Sequence, residues 1–273
     1  MQPTESTTFY DQHPFDWATP DTSSAAESVV SPALLDFIES LDAHSLVLDI
    51  GCGPGRVLGV LARRGVRCVG LDRSRVSVGM AAERCHRPGV VGDNLRLPFA
   101  DGTADAVISD GVIHHTEDPQ AAFAENCRIL RPGGQMYLAV YKDSGRYPWL
   151  YTYPGAMIRG GLRNRWARPF VTLFAQFPYY LVHFVRSRGR RTWSGARNLF
   201  FDYFVTPRVA FVPREAVEEW CAREGTRVAR YERHRGANVH SFRLVKDSNS
   251  SSLRDSRRPS AVNVLVEQKR GAS

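Results

Sequence analysis

The chain has no apolar run long enough to cross a bilayer. One uncharged stretch, Pro169 to Val185, covers 17 residues and is interrupted by Pro178, short of the ~20 residues that a spanning helix needs. Cysteine is sparse and unpaired in pattern: Cys52, Cys68, Cys85, Cys127 and Cys221 are odd in number and contain no C-x-x-C. That excludes a disulfide framework and a zinc ribbon, and it points to a reducing compartment. The N-terminus lacks a basic stretch followed by an apolar one, so no secretory leader is expected and a cytoplasmic location is. Acidic residues are scarce in one region. Between Lys142 and Val212 there are 12 Lys plus Arg against 2 Asp plus Glu. The net charge of +8 is therefore a property of that segment, and the rest of the chain nets −2.

What the chain does have is alternation. Residues 1–28 read as an irregular lead-in. Val29–Leu41 has apolar residues at helical spacing, with Pro32 suited to a first turn. Short β-rich runs follow at Ser45–Ile50, Val66–Leu71, Val90–Val91, Ala104–Ser109 and Gln135–Tyr141. Helical segments at Arg56–Arg63, Arg75–Arg84 and Pro119–Leu130 separate them, and Arg131-Pro132-Gly133-Gly134 reads as a turn feeding the last strand. This alternation predicts βαβ units and a mostly parallel sheet, with ligands bound outside the carboxyl ends of the strands. The pattern stops over 142–212 and resumes over 213–246. There Pro213–Glu224 reads as a helix stopped by Gly225, and Arg227–Arg233 and His240–Val245 read as strands, one of them expected to run antiparallel. The tail, 247–273, is rich in Ser, Arg and Asp and is expected to be disordered.

The first strand runs into Asp49-Ile50-Gly51-Cys52-Gly53-Pro54-Gly55-Arg56. Glycines there permit a tight turn and close backbone approach to a ligand. A dinucleotide reader of the G-x-G-x-x-G kind would need glycine at position 56, where this chain has Arg56. Asp49 beside the loop suits a cationic ligand group and suits a pyrophosphate badly. Asp72 lies 21 residues after Gly51, the spacing of an acid that binds ribose hydroxyls. Asp93 could accept from an exocyclic amine such as adenine's. The bland readings are a brace for the turn at Asp49, a helix N-cap at Asp72, and a packing residue at Cys52.

Four ordered segments carry a resemblance: VLDIGCGPGR (47–56), GLDRS (70–74), GDNLRLPFADGTADAVISDGVIHH (92–115) and RILRPGGQMYLAV (128–140). Together they resemble the class I S-adenosylmethionine (SAM)-dependent methyltransferases, in the broad group related to ubiquinone and menaquinone biosynthesis methyltransferases. The resemblance spans residues 30–141 and, more weakly, 213–245. It implies a Rossmann-like α/β sheet with SAM as cofactor. It also implies that Asp49, Gly51, Gly53 and Gly55 hold the methionine end, that Asp72 with Arg73 beside it serves the ribose, and that Asp93 and Asn94 sit at the adenine. Asp110 and Gly111 would face the sulfonium and the acceptor.

Methyl transfer needs positioning first and a general base only where the acceptor must lose a proton. His115, and after it His114, are the candidate bases; the alternative is that one packs and the other lies at the surface. Adjacent histidines without further ligands do not make a metal site, and none is expected. The insertion, 142–212, leaves the ligand edge of the sheet. It reads as a helical lid with aromatics inward and arginines outward, and Trp149, Tyr151 and Tyr203 are candidate substrate contacts. Tyr10, within Phe9–Phe15, is expected on the other side of the cleft. Three functions follow: a small-molecule methyltransferase, an RNA methyltransferase using the Arg186–Arg191 cluster, and a SAM-binding protein without catalysis. Peripheral membrane contact through 169–185 is a further reading of the insertion.

Overall fold

Period-2 apolar residues make the strands, and both sheet faces are covered. In the computed structural model, which describes residues 5–14, 30–186, 193–234 and 238–248, β1 (Leu46–Ile50) sends Leu48 and Ile50 to one core and Val47 to the other. β2 (Arg67–Asp72), β3 (Gly89–Val91), β4 (Ala104–Asp110) and β5 (Leu130–Tyr141) join it in parallel. β7 (Val239–Lys246) runs antiparallel between β5 and β6 (Thr226–Arg233), giving a seven-stranded sheet in the order β3-β2-β1-β4-β5-β7-β6. The fold is thus the expected α/β sheet with one antiparallel C-terminal strand. The chain reverses direction of travel between β1 and β4, and the crevice at their carboxyl ends is where a ligand of such a sheet sits.

One face is covered by α5 (Pro119–Ile129) and α11 (Arg214–Glu224), which bring Phe123, Cys127, Val217 and Cys221 onto Leu138 and Phe242. The other is covered by α2 (Pro32–Glu39), α3 (Arg56–Arg63) and α4 (Arg75–Cys85), through Leu34, Phe37, Leu58, Leu61 and Ala81. Helix ends follow local chemistry. Ser31 caps α2 with Pro32 in its first turn, Asp118 caps α5, and Gly225 ends α11 at φ +61°, where a left-handed residue closes a helix.

Three expectations are corrected. The lead-in is not wholly irregular: Glu5–Gln12 forms helix α1, laid beside α4 by a hydrogen bond from Ser74 Oγ to Asp11 Oδ1 at 2.6 Å. β5 starts at Leu130 rather than Gln135. Leu130 already pairs with Ala104, residues 131–134 bulge out, and pairing resumes at Gln135 with Ala106. The insertion is helical, as α6 (Tyr147–Thr152), α7 (Pro154–Arg163), α8 (Arg168–Val171), α9 (Phe177–Arg186) and α10 (Trp193–Phe200), with π-helical turns at Thr172–Gln176 and Phe201–Val205. Its aromatics do not all face inward: Trp166, Phe170, Phe174 and Phe177 are exposed. The Gly236 turn, most of the Arg186–Arg191 cluster, Phe15 and residues 249–273 of the tail lie outside the described residues.

Candidate cofactor and acceptor site

The glycine loop is built by backbone conformations that side chains resist. Gly51, Gly53 and Gly55 all lie at positive φ (+76°, +51°, +93°). A Cβ on Gly51 would collide with a Val112 methyl, whereas one on Gly53 would meet nothing within 4 Å. Gly51 is thus glycine for packing as well as φ, and Gly53 for φ beside open space. Asp72 Oδ2 accepts from Gly53 N at 2.8 Å and Oδ1 accepts from Ser74 N at 2.8 Å. Asp72 is therefore the brace of the loop, while Ser74 takes the N-cap of α4. Asp49 is left differently. It is buried, and among the described residues its Oδ2 has no hydrogen-bond partner. Burial pushes its pKa up to about 7, opposed by Arg56 and reinforced by Asp110 and Asp72. Burial raises Asp72 as well. Arg56, at the start of α3, forms an ion pair with Asp110 at 2.5 Å. One arginine thus stands among three carboxylates, a balance that attracts a ligand carrying a cation and one carboxylate.

Around the far side of the crevice, Arg73 pairs with Asp93 Oδ2 at 3.1 Å, and Leu95 N donates to Asp93 Oδ1 at 3.0 Å. Next to it the buried Asn94 amide lacks hydrogen-bond partners on both atoms among the described residues. Past β4, Gly111 has φ +84° with open space where a Cβ would lie. The following 3-10 turn, Ile113–His115, separates the two histidines. His114 is buried between the rings of His115 (4.2 Å) and Tyr141 (4.1 Å), with neither ring nitrogen hydrogen-bonded among the described residues. Burial drives its pKa well down. His115 Nδ1 lies 2.8 Å from the Arg208 carbonyl oxygen, which can only accept, so that nitrogen carries the proton. Its Nε2 lies 3.8 Å from Asp202 Oδ1, and Tyr141 donates to Asp202 Oδ2 at 2.8 Å. Burial lowers the pKa of His115, with Asp202 opposing, and raises that of Asp202.

Residues 48–138 match the family model described as a methyltransferase domain. Over this part the chain is similar to that family. Over 119 residues the chain is 38% identical to the tRNA (carboxymethyluridine(34)-5-O)-methyltransferase ALKBH8 of Mus musculus, covering 42% of this chain and 18% of that protein. Over 122 residues it is 40% identical to the human "Probable tRNA methyltransferase 9B", covering 43% of this chain and 26% of that protein. The chain thus spans well under half the length of these relatives. Magnesium protoporphyrin IX methyltransferase (ChlM) of Synechocystis PCC 6803, solved with bound SAH, superposes with a TM-score of 0.52 over 89% of this chain and 95% of that one. At 16% identity that likeness shows the fold alone.

Around this methyltransferase domain the substrate-side expectations divide. Tyr10 of α1 reaches the crevice: its ring lies 6.4 Å from that of His115, and burial, then Asp202 and Asp72, raise its pKa. Tyr151 is buried, with its hydroxyl donating to the Thr206 carbonyl at 3.0 Å, and Tyr203 packs on Tyr147 with ring centres 5.0 Å apart. Trp149 is 59% exposed, with its ring tilted against that of Tyr153 at 6.1 Å between centres. The α6 helix turns Tyr147 and Tyr151 inward and leaves Trp149 outside. Tyr141 and Tyr147 join the site without being expected there, and Arg56, in the sequence only the residue that breaks G-x-G-x-x-G, pairs with Asp110. The signal for Tyr141 was its place as the last residue of β5, on the ligand edge. Among the described residues no group of His, Cys, Asp and Glu converges as a metal site would.

Proposed function

We propose that this chain binds SAM and transfers its methyl group to a small-molecule acceptor, a metabolite, natural product or lipid-like compound. One observation carries the reading: a glycine loop at positive φ beside a buried carboxylate, Asp49, whose Oδ2 is unpartnered among the described residues. A buried polar atom without a partner costs free energy, and a cationic ligand group at that oxygen would supply the missing interaction. The residues fit the rest of SAM as well. Arg56 offers a donor to a carboxylate, Asp72 has lone pairs left for ribose hydroxyls, and Asn94 supplies both the acceptor and the donor that an adenine edge needs.

When bound, SAM supplies a methyl group on a sulfonium that leaves as a neutral thioether. The chain's contribution is then position, water exclusion and a place for the acceptor's proton. Tyr10 and Phe201 approach from α1 and the insertion; His13 of the α1 end lies 4.5 Å, ring to ring, from Phe201. For an acceptor with an O–H or N–H, His115 Nε2 takes the proton, and Asp202 stabilises the imidazolium that results. His114, walled in by aromatic rings, takes no part in proton transfer.

The relatives named as tRNA methyltransferases favour RNA as a second acceptor class, with the basic insertion meeting phosphates. The apolar, aromatic character of the insertion, with Tyr147 and Tyr151 packed on Tyr141 at the end of β5, favours the small molecule. Incubation of the chain with methyl-labelled SAM and fractionated cell extract sorts the two. Label in the small-molecule or lipid fraction supports the proposal, and label confined to RNA overturns that choice of acceptor. With the labelled acceptor in hand, His115→Ala should lower kcat about a hundredfold. An unchanged rate would remove His115 as the base.

A further inference from the structure

Amphipathic helices of soluble domains turn their apolar stripe inward. The segment from α8 through the π-turn to α9, residues 168–186, does the reverse. It runs as one helical stretch, the π-turn placed where Pro178 would otherwise crowd the carbonyl four residues before it. Its inward positions are Gln176, Tyr179, Tyr180 and His183, with Tyr179 packed 5.3 Å from the Phe200 ring and 5.8 Å from that of Phe204. The outward stripe is Phe170, Leu173, Phe174, Phe177, Leu181 and Val185, spaced at three, four and seven residues. Phe170 and Phe174 are 66% and 71% exposed, so the stripe is not a core face loosely covered. An apolar face of this extent on a soluble domain marks an interaction surface.

The surrounding charge selects the occupant. Arg163, Arg165 and Arg168 lie at one end and Arg186 at the other, and no acidic residue occurs between Asp143 and Asp202. Arg165 stacks over exposed Trp166 at 4.5 Å, a pairing suited to the headgroup zone, where aromatics and arginine both settle. A second copy of the chain would set one arginine rim against another. A nucleic acid would find the rim but gain no stacking from Leu173, Leu181, Val182 and Val185. No helix among the described residues is long and apolar enough to cross a membrane, and a stretch of about 28 Å with one apolar side is shaped to lie along the surface. We infer that residues 166–186 dock this chain on a bilayer bearing anionic headgroups, with the phenylalanines in the acyl boundary and the arginines at the phosphates. The inference stands apart from the methyltransferase reading and would survive its failure.

The test is co-sedimentation of the full chain with vesicles of phosphatidylcholine alone and of phosphatidylcholine containing about one quarter phosphatidylglycerol. Binding should favour the anionic vesicles, and Phe170→Glu/Phe174→Glu should weaken it at least about tenfold with the circular dichroism spectrum retained. Should that variant misfold, Leu173→Ser/Phe174→Ser reads the same face. Three results would overturn the proposal: no binding of the wild-type chain, equal binding by the variants, or a loss in the variants of self-association or of tRNA affinity with vesicle binding intact.

Discussion

Asp49 is the residue on which the site turns. Buried, and with one oxygen unpartnered among the described residues, it has a pKa pushed up to about 7 by burial. The free site therefore holds it largely protonated at pH 6 and ionised at pH 8. A cationic ligand requires the ionised form, so proton and ligand compete. SAM affinity should fall about tenfold between pH 8 and pH 6, and Asp49→Asn should both weaken binding and flatten that profile in titration calorimetry. A steep profile retained in Asp49→Asn would assign the titration to another group. For the bare protein the sign is opposite. A carboxyl with a raised folded pKa adds stability at low pH that is lost as pH climbs toward 7. The neighbouring histidines show how far sequence reaches at this scale. The pair His114-His115 was visible in the sequence, but which of them faces the crevice depends on the 3-10 turn and on Tyr141 and Arg208, distant in sequence and adjacent in space.

Elements were legible where periodicity and punctuation agreed. β1, α3, β2, α4, β4 and α5 lie within a residue or so of their expected bounds, because Gly, Asp118-Pro119 and alternating apolar residues mark them locally. α8–α9 departs from the expected inward-facing lid because helical spacing shows a stripe but not the side that is covered. α1 has no local signal, because a short helix with little apolar content takes its stability from the docking partner. The loop after β3 illustrates a tertiary contact that no spacing reveals. From α5, Arg128 donates to the carbonyls of Leu97 (3.0 Å) and Phe99 (2.8 Å) and pairs with Glu125 at 2.8 Å. The loop that carries Asp93 and Asn94 is anchored by that guanidinium. Arg128→Met leaves both carbonyls without their donor and should cost about 2 kcal/mol in urea unfolding, with SAM affinity lowered in step. The pairing with exposed Asp101 contributes little of this. A stability loss near zero would show that water replaces the guanidinium without penalty.

At the scale of the whole molecule, the sheet brings three strand ends to one crevice. β1 delivers Asp49 and the glycine loop, β2 delivers Asp72, and β4 delivers Asp110 and Gly111. The insertion returns Asp202 to the same place from the far end of a helical excursion, and α1 closes over it through Tyr10 and His13. The first of these convergences was readable from strand–loop–helix order, since a parallel sheet puts all such loops on one edge. The second was legible only in outline: the sequence puts Tyr203 and Tyr10 at the cleft, whereas the approach of Asp202 to His115 is set by the insertion's packing on Tyr141 and Tyr147. The most direct test of the assembled site is a calorimetric titration of SAM, and of its demethylated product, into the purified full chain and its Asp72→Ala variant. Saturable one-to-one binding by the wild type, at least about tenfold weaker in Asp72→Ala, is expected. Absence of binding to the folded wild-type chain, or equal affinity in the variant, would contradict the account.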